Sequence, residues 1–160
     1  MLDYLLENNL IPYRLDLFSG EILGTKLGND ILDILLEYAK KGFIVKHICA
    51  PTNMSFCLTE KGMRTIDYYI EQFMELNCGF SLSCSMDGLI VDKMTRPFVN
   101  NSDKLKTAEY YNRIISFCTR RGFGYHPMIS ADSLDYQEEN YKTWLKILHL
   151  AYPNEEDFKR

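Results

Sequence analysis

Four short motifs carry residues able to bind polar ligands: Ser19-Gly20-Glu21-Ile22, Pro51-Thr52-Asn53, Ser85-Met86-Asp87-Gly88 and His126-Pro127-Met128. Ser19, Thr52 and Ser85 stand 33 residues apart, and His126 follows Ser85 by 41. A carboxylate beside a glycine, as in Gly20-Glu21, is a good receptor for an ammonium group. Ser83 and Ser85 alternate with Leu82 and Cys84, so both hydroxyls fall on one face of a strand. Arg96 offers a guanidinium that can grip a carboxylate in bidentate fashion, or pair with Asp87 across a loop. Asn53 can bond its own backbone as an Asx-turn. His126, at a strand end before Pro127, is placed for proton transfer or substrate contact. His47 and Cys49 share a strand face, but two ligands do not make a metal site.

The spacing of these motifs is that of successive strand–helix units, whose loops after the strands gather at one rim. Residues 1–9 read as a short helix. Residues 13–18 alternate into a glycine-containing loop and read as a strand. A helix over 29–41 is expected from Ile31, Ile34, Leu35 and Tyr38, stopped by Gly42. The β-branched run at about 43–49 gives a second strand. Thr59 caps a helix with an apolar stripe of Met63, Ile66, Ile70, Phe73 and Met74. A third strand spans about 79–85. Asp103 can cap a helix that turns Leu105, Ala108, Ile114 and Ile115 inward and ends at Arg120-Arg121-Gly122, with cations at the negative pole. A fourth strand at about 123–129 and a helix near 137–150, carrying Tyr141, Trp144, Leu145 and Leu148, complete the pattern.

The expected class is therefore α/β, a partial (βα) barrel or open sheet with about four parallel strands alternating with helices. The expected domain is 1–152, followed by a polar tail over 153–160. With 160 residues, 46% hydrophobic and 13% aromatic, the chain is long enough to bury a core. A net charge of −4 gives no reason to expect nucleic acid or an anionic membrane as partner. No apolar run approaches a membrane span, and the start lacks the basic residues of a signal peptide, which points to the cytoplasm. The five cysteines, at 49, 57, 78, 84 and 118, contain no CxxC pair and read as packed free thiols.

Residues 11 to 150 resemble the middle of a radical S-adenosylmethionine enzyme, of the branch that modifies peptides and proteins. "RLDLFSGEI" stands where that family has a strand running into Gly-Gly-Glu-Pro. "CAPTNMSF" is similar to its next strand, ending in Thr-Asn, and "LSCSMDG" to the strand with Ser-x-Asp-Gly, with Arg96 following at the expected distance. Ser19 and Ile22 replace a glycine and the proline of the first motif, and Leu89 replaces a common proline. The CxxxCxxC triplet that ligates the family's [4Fe–4S] cluster is absent, as is the strand expected before it. The resemblance implies S-adenosylmethionine as cosubstrate, held by Gly20, Glu21, Asn53, Ser83, Ser85 and Arg96. It places Asp87 and His126 nearer a peptide or protein substrate, and the cluster only in an intact form. The chain then reads as a fragment that is inactive by itself. The other reading is a cluster-free relative that binds a ligand or partner, with self-association through exposed sheet edges.

Overall fold

Strand and helix alternate as the sequence leads one to expect, with shifted bounds. The computed structural model describes residues 1–18, 20–85, 104–123, 125–126, 135–136, 138–139, 141–142 and 145. In chain order the elements are α1 (Leu2–Glu7), β1 (Arg14–Asp16), α2 (Lys26–Lys40), β2 (His47–Thr52), a 3-10 turn (Ser55–Leu58), α3 (Glu60–Glu75), β3 (Gly79–Ser85), α4 (Lys104–Arg121) and β4 (Tyr125–His126). The chain divides into two compact units, Met1–Ser83 and Cys84–Arg160, with the boundary inside β3.

The first unit is built on a small open parallel sheet of three strands alternating with helices. β1 lies in register with β2, Arg14 beside His47, Leu15 beside Ile48 and Asp16 beside Cys49. The Gly79 N–H donates to the Lys46 carbonyl at 2.9 Å and starts β3 alongside β2. β2 is set four residues later than the β-branched run suggests. Phe43 and Val45 are buried, but the Phe43 N–H donates to the Tyr38 carbonyl and finishes the turn out of α2. Apolar content thus marked burial there, while pairing belonged to the next residues. A proline inside β2 is tolerated for a local reason. Odd-numbered residues of β2 turn their backbone toward β1: the His47 N–H donates to Tyr13, and the Cys49 carbonyl accepts from Leu17. Pro51 continues that row after β1 has ended, so its missing N–H breaks no ladder bond.

Helices α2 and α3 begin with the same clasp. Thr25 and Thr59 cap them, accepting from the N–H of Gly28 and Gly62 at 3.0 Å each. Each glycine then lies hard against the preceding loop: a Cβ at Gly28 would sit 1.9 Å from the Ile22 carbonyl oxygen, and one at Gly62 2.2 Å from that of Phe56. The cap moves the start of α2 three residues ahead of the expected 29. It also fixes which face is buried. Leu32, Leu35, Leu36 and Ala39 point inward, whereas Ile34, expected inward, is exposed. On α3 the buried stripe is Ile66, Tyr69, Ile70 and Phe73, and Met74, expected inward, lies outside. Tyr69 takes a place in the stripe because its hydroxyl has partners on α2, donating to Asp33 at 2.8 Å. Phe73 stacks on Phe80 of β3 at 5.7 Å between ring centroids, fixing α3 to the sheet.

In the second unit α4 buries Tyr110, Tyr111, Ile114, Ile115, Phe117 and Cys118 and ends on Arg120 and Arg121, as the pattern predicts. β4 runs parallel to the end of β3, Cys84 beside Tyr125 and Ser85 beside His126. The Asp103 cap, Trp144, Leu148 and the tail at 153–160 lie outside the described residues. So do the inward positions expected of Leu105 and Ala108. Tyr141 is exposed. Among the described residues no helix is long and apolar enough to cross a membrane.

Candidate functional site

Because β1 and β2 are parallel, the loops that follow them leave from the same edge of the sheet. There the side chain of Glu21 joins the two loops. One carboxylate oxygen accepts from the Thr52 hydroxyl at 2.7 Å, the other from the Asn53 backbone N–H at 2.6 Å. Thr52 is 4% exposed, and its oxygen also accepts from the Met54 N–H at 2.9 Å. Asn53 Oδ1 accepts from the Ser55 N–H at 2.9 Å, the Asx-turn its position suggested. This sharp exit from β2 is completed by Met54, buried and in the left-handed region at φ 64°. Hydrogen bonds to a carboxylate are stronger than neutral ones, so the Glu21 bridge stiffens the rim. Gly20 beside it is exposed.

Below this rim the sheet has two unlike faces. Ile48, Ala50 and Thr52 of β2 and Phe80, Leu82 and Cys84 of β3 are buried. The residues between them turn to the opposite face, which is mostly polar, the buried Cys49 and the half-buried Pro51 being the exceptions. On β1 these are Arg14 and Asp16, on β2 His47 and Cys49, and on β3 Ser81 and Ser83. Arg14 holds Asp16 in a bidentate pair, with Nη2 at 2.7 Å and Nε at 2.9 Å from Oδ1. The hydrogen bond from Arg14 lowers the Asp16 carboxyl below its ordinary range, partial desolvation opposing it, and the same pair raises the guanidinium. His47 Nε2 lies 2.8 Å from Ser81 Oγ. Its ring lies over Gly79, where a Cβ would come within 3.0 Å of Nδ1.

The structure therefore brings Gly20, Glu21 and Asn53 together at the rim of the first unit and sets Ser83, half-buried, on the polar face. Ser85 belongs to the second unit, in register with His126 at the end of β4. Asp87 and Arg96 lie outside the described residues. Sequence reasoning missed Thr52 as the partner of Glu21, and missed Arg14, Asp16 and Ser81 as members of one face. The signal was available in the two-residue alternation of "RLD", "HIC" and "FSLSCS", once the three strands are laid side by side. All five cysteines are buried, and among the described residues no group of three His, Cys, Asp or Glu could hold a metal ion.

The site and sheet define an open parallel α/β unit with a polar face and a braced rim. The chain matches no protein-family model, no curated protein and no solved structure.

Proposed function

We propose that this chain carries the cosubstrate-binding part of a radical S-adenosylmethionine type of (βα) partial barrel, with a fourth parallel strand contributed through β4. The observation that carries the reading is the Glu21 carboxylate, set between the ends of two parallel strands and fixed by Thr52 and Asn53. A negative charge held among backbone groups suits the ammonium of an amino-acid moiety. Hydroxyls at Ser83 and Ser85 suit ribose or carboxylate oxygens. By the resemblance, Arg96 is assigned to the cosubstrate, and Asp87 and His126 to a peptide or protein substrate.

The cluster chemistry of that family does not fit the residues in hand. Cys49, Cys57, Cys78, Cys84 and Cys118 are buried and nowhere stand in CxxxCxxC spacing. No electron transfer is therefore routed through them, and radical formation would need ligands from outside these 160 residues. The same observation supports the second reading, a cluster-free module that holds a nucleotide-like ligand, a peptide or a partner without turning it over.

Equilibrium dialysis with labelled S-adenosylmethionine tests both. Saturable binding below about 1 mM is expected, weakened about tenfold in a Ser83→Ala/Ser85→Ala variant that melts like the parent. Absence of saturable binding would end the cosubstrate reading and leave only a module for a peptide or partner. Binding that persists after treatment with chelator would favour the cluster-free module.

A further inference from the structure

β1 stands at the end of the strand order, and its pairing with β2 uses only half of its backbone. The Tyr13 carbonyl and the Leu17 N–H are the groups bonded to β2. Backbone direction alternates along a strand, so the N–H and C=O of Arg14 and Asp16 point to the outer edge. Among the described residues no strand pairs with that edge. Such an edge is an open template unless something blunts it. Pro12 limits it on one side, since proline offers no N–H to a ladder.

We propose that this edge is a self-association surface, in which β1 pairs antiparallel with β1 of a second copy about a two-fold axis at Leu15. Two independent features select the same register. Antiparallel pairing about Leu15 sets Arg14 opposite Asp16 of the second copy, and Asp16 opposite its Arg14. Those are the residues whose backbone groups point outward, so each opposed pair exchanges both its hydrogen bonds. They are also opposite charges on one face, and an opposed ion pair favours the register in which it forms. The Arg14–Asp16 pair inside one chain, with side chains 54% and 28% exposed, becomes half of a four-charge square. On the other face the same register sets Tyr13, 78% exposed, opposite Leu17. A shift by one residue would lose the charge match and turn the outward groups out of phase.

The area is small. A stable interface buries roughly 1,200–2,000 Å², more than a five-residue ribbon supplies from each copy, so the dimer is weak and is sought between about 10 µM and 1 mM. Its mass is measured by light scattering over that range. Arg14→Asp and Asp16→Arg each place like charges opposite one another and should weaken association at least about tenfold. An equal mixture of the two variants restores complementarity. In the mixed pair, the chain with acidic side chains at both positions faces the chain with basic side chains at both. Recovery of the dimer in the mixture, with neither variant dimeric alone, is the expected result. A wild-type monomer at about 1 mM, or a mixture no more associated than its components, overturns the proposal. If either variant unfolds, hydrogen exchange in the wild-type chain decides. The Arg14 and Asp16 amides should gain protection with rising concentration while Leu17, already bonded to β2, does not change. Equal behaviour of all three refutes the edge.

Discussion

Alanine at Gly28 should destabilise this protein, although glycine to alanine inside a helix ordinarily adds about 0.5–1 kcal/mol. The added Cβ would lie 1.9 Å from the Ile22 carbonyl oxygen and 2.7 Å from its carbonyl carbon and Cγ2. A carbon approaches a carbonyl oxygen no closer than about 3.3 Å, so the start of α2 must withdraw by roughly 1.4 Å. Withdrawal disturbs two bonds of Thr25, to the Ile22 carbonyl at 2.6 Å and from the Gly28 N–H at 3.0 Å. Each is worth about 1 kcal/mol. It also loosens Ile22 and Leu23, both buried, at about 1–3 kcal/mol for a forced fit. After subtracting the helix preference of alanine, the net loss is about 2–4 kcal/mol. For a chain of this size that lowers the melting temperature by roughly 5–12 °C. Circular dichroism at the helical minimum, with urea titration as a second probe, measures it. An unchanged or raised melting temperature would refute the close approach on which the estimate rests.

Glu21→Ala removes both acceptors at the rim and leaves the buried Thr52 hydroxyl and the Asn53 N–H without that partner, costing about 2–3 kcal/mol. Faster hydrogen exchange at Asn53, at an unchanged global fold, would show it, and an unaltered rate would count against the bridge. By NMR titration the Asp16 carboxyl should ionise below 3.8 and return to the ordinary range in Arg14→Ala. Its contribution is present above the unfolded carboxyl pKa and is lost as acid protonates the folded one. Burial pushes the Cys78 thiol up to about 11. The unfolded chain therefore releases this proton first, and stability falls as pH rises from about 9 toward that value. With all five thiols buried, a disulfide reagent at about pH 8 should find none quickly in the native protein and five in urea. Rapid modification of any one would contradict its burial.

The element types were legible wherever local chemistry and burial agreed. Thr59, Gly42 and Arg120-Arg121 mark the ends of α3, α2 and α4 because capping is a local matter. The second strand was displaced because burial and pairing are different demands. Phe43 and Val45 meet the first, and the residues from His47 to Thr52 meet the second. The face of α2 was off by one position, whereas on α3 Ile66, Ile70 and Phe73 are buried as expected and Tyr69 joins them. Tyr69 satisfies its hydroxyl with Asp33, a partner on another helix that no periodicity reveals. At the site, the strand-end placement of Glu21 and Asn53 was visible in the motif spacing. The bridge from Glu21 to Thr52 spans 31 residues and is tertiary, as is the contact between His47 and Ser81, so neither could be read from neighbours in sequence.

The clasp shared by α2 and α3 bears on how this rim could change over evolutionary time. Ile22 and Phe56, Thr25 and Thr59, and Gly28 and Gly62 each stand 34 residues apart, so the same joint is used twice. In each copy the loop carbonyl lies hard against its helix, and a short span separates the strand end from the joint. Of the residues in those spans, Gly20 is exposed and Ser55 half-buried, whereas Glu21 and Asn53 brace the rim and Met54 is buried. A sequence can therefore vary the exposed positions there while the Glu21 bridge and the two Thr-x-x-Gly joints keep the frame still. New specificity would arise at the exposed positions ahead of the two joints, and intolerance to change would concentrate on the joints and on the Glu21 bridge.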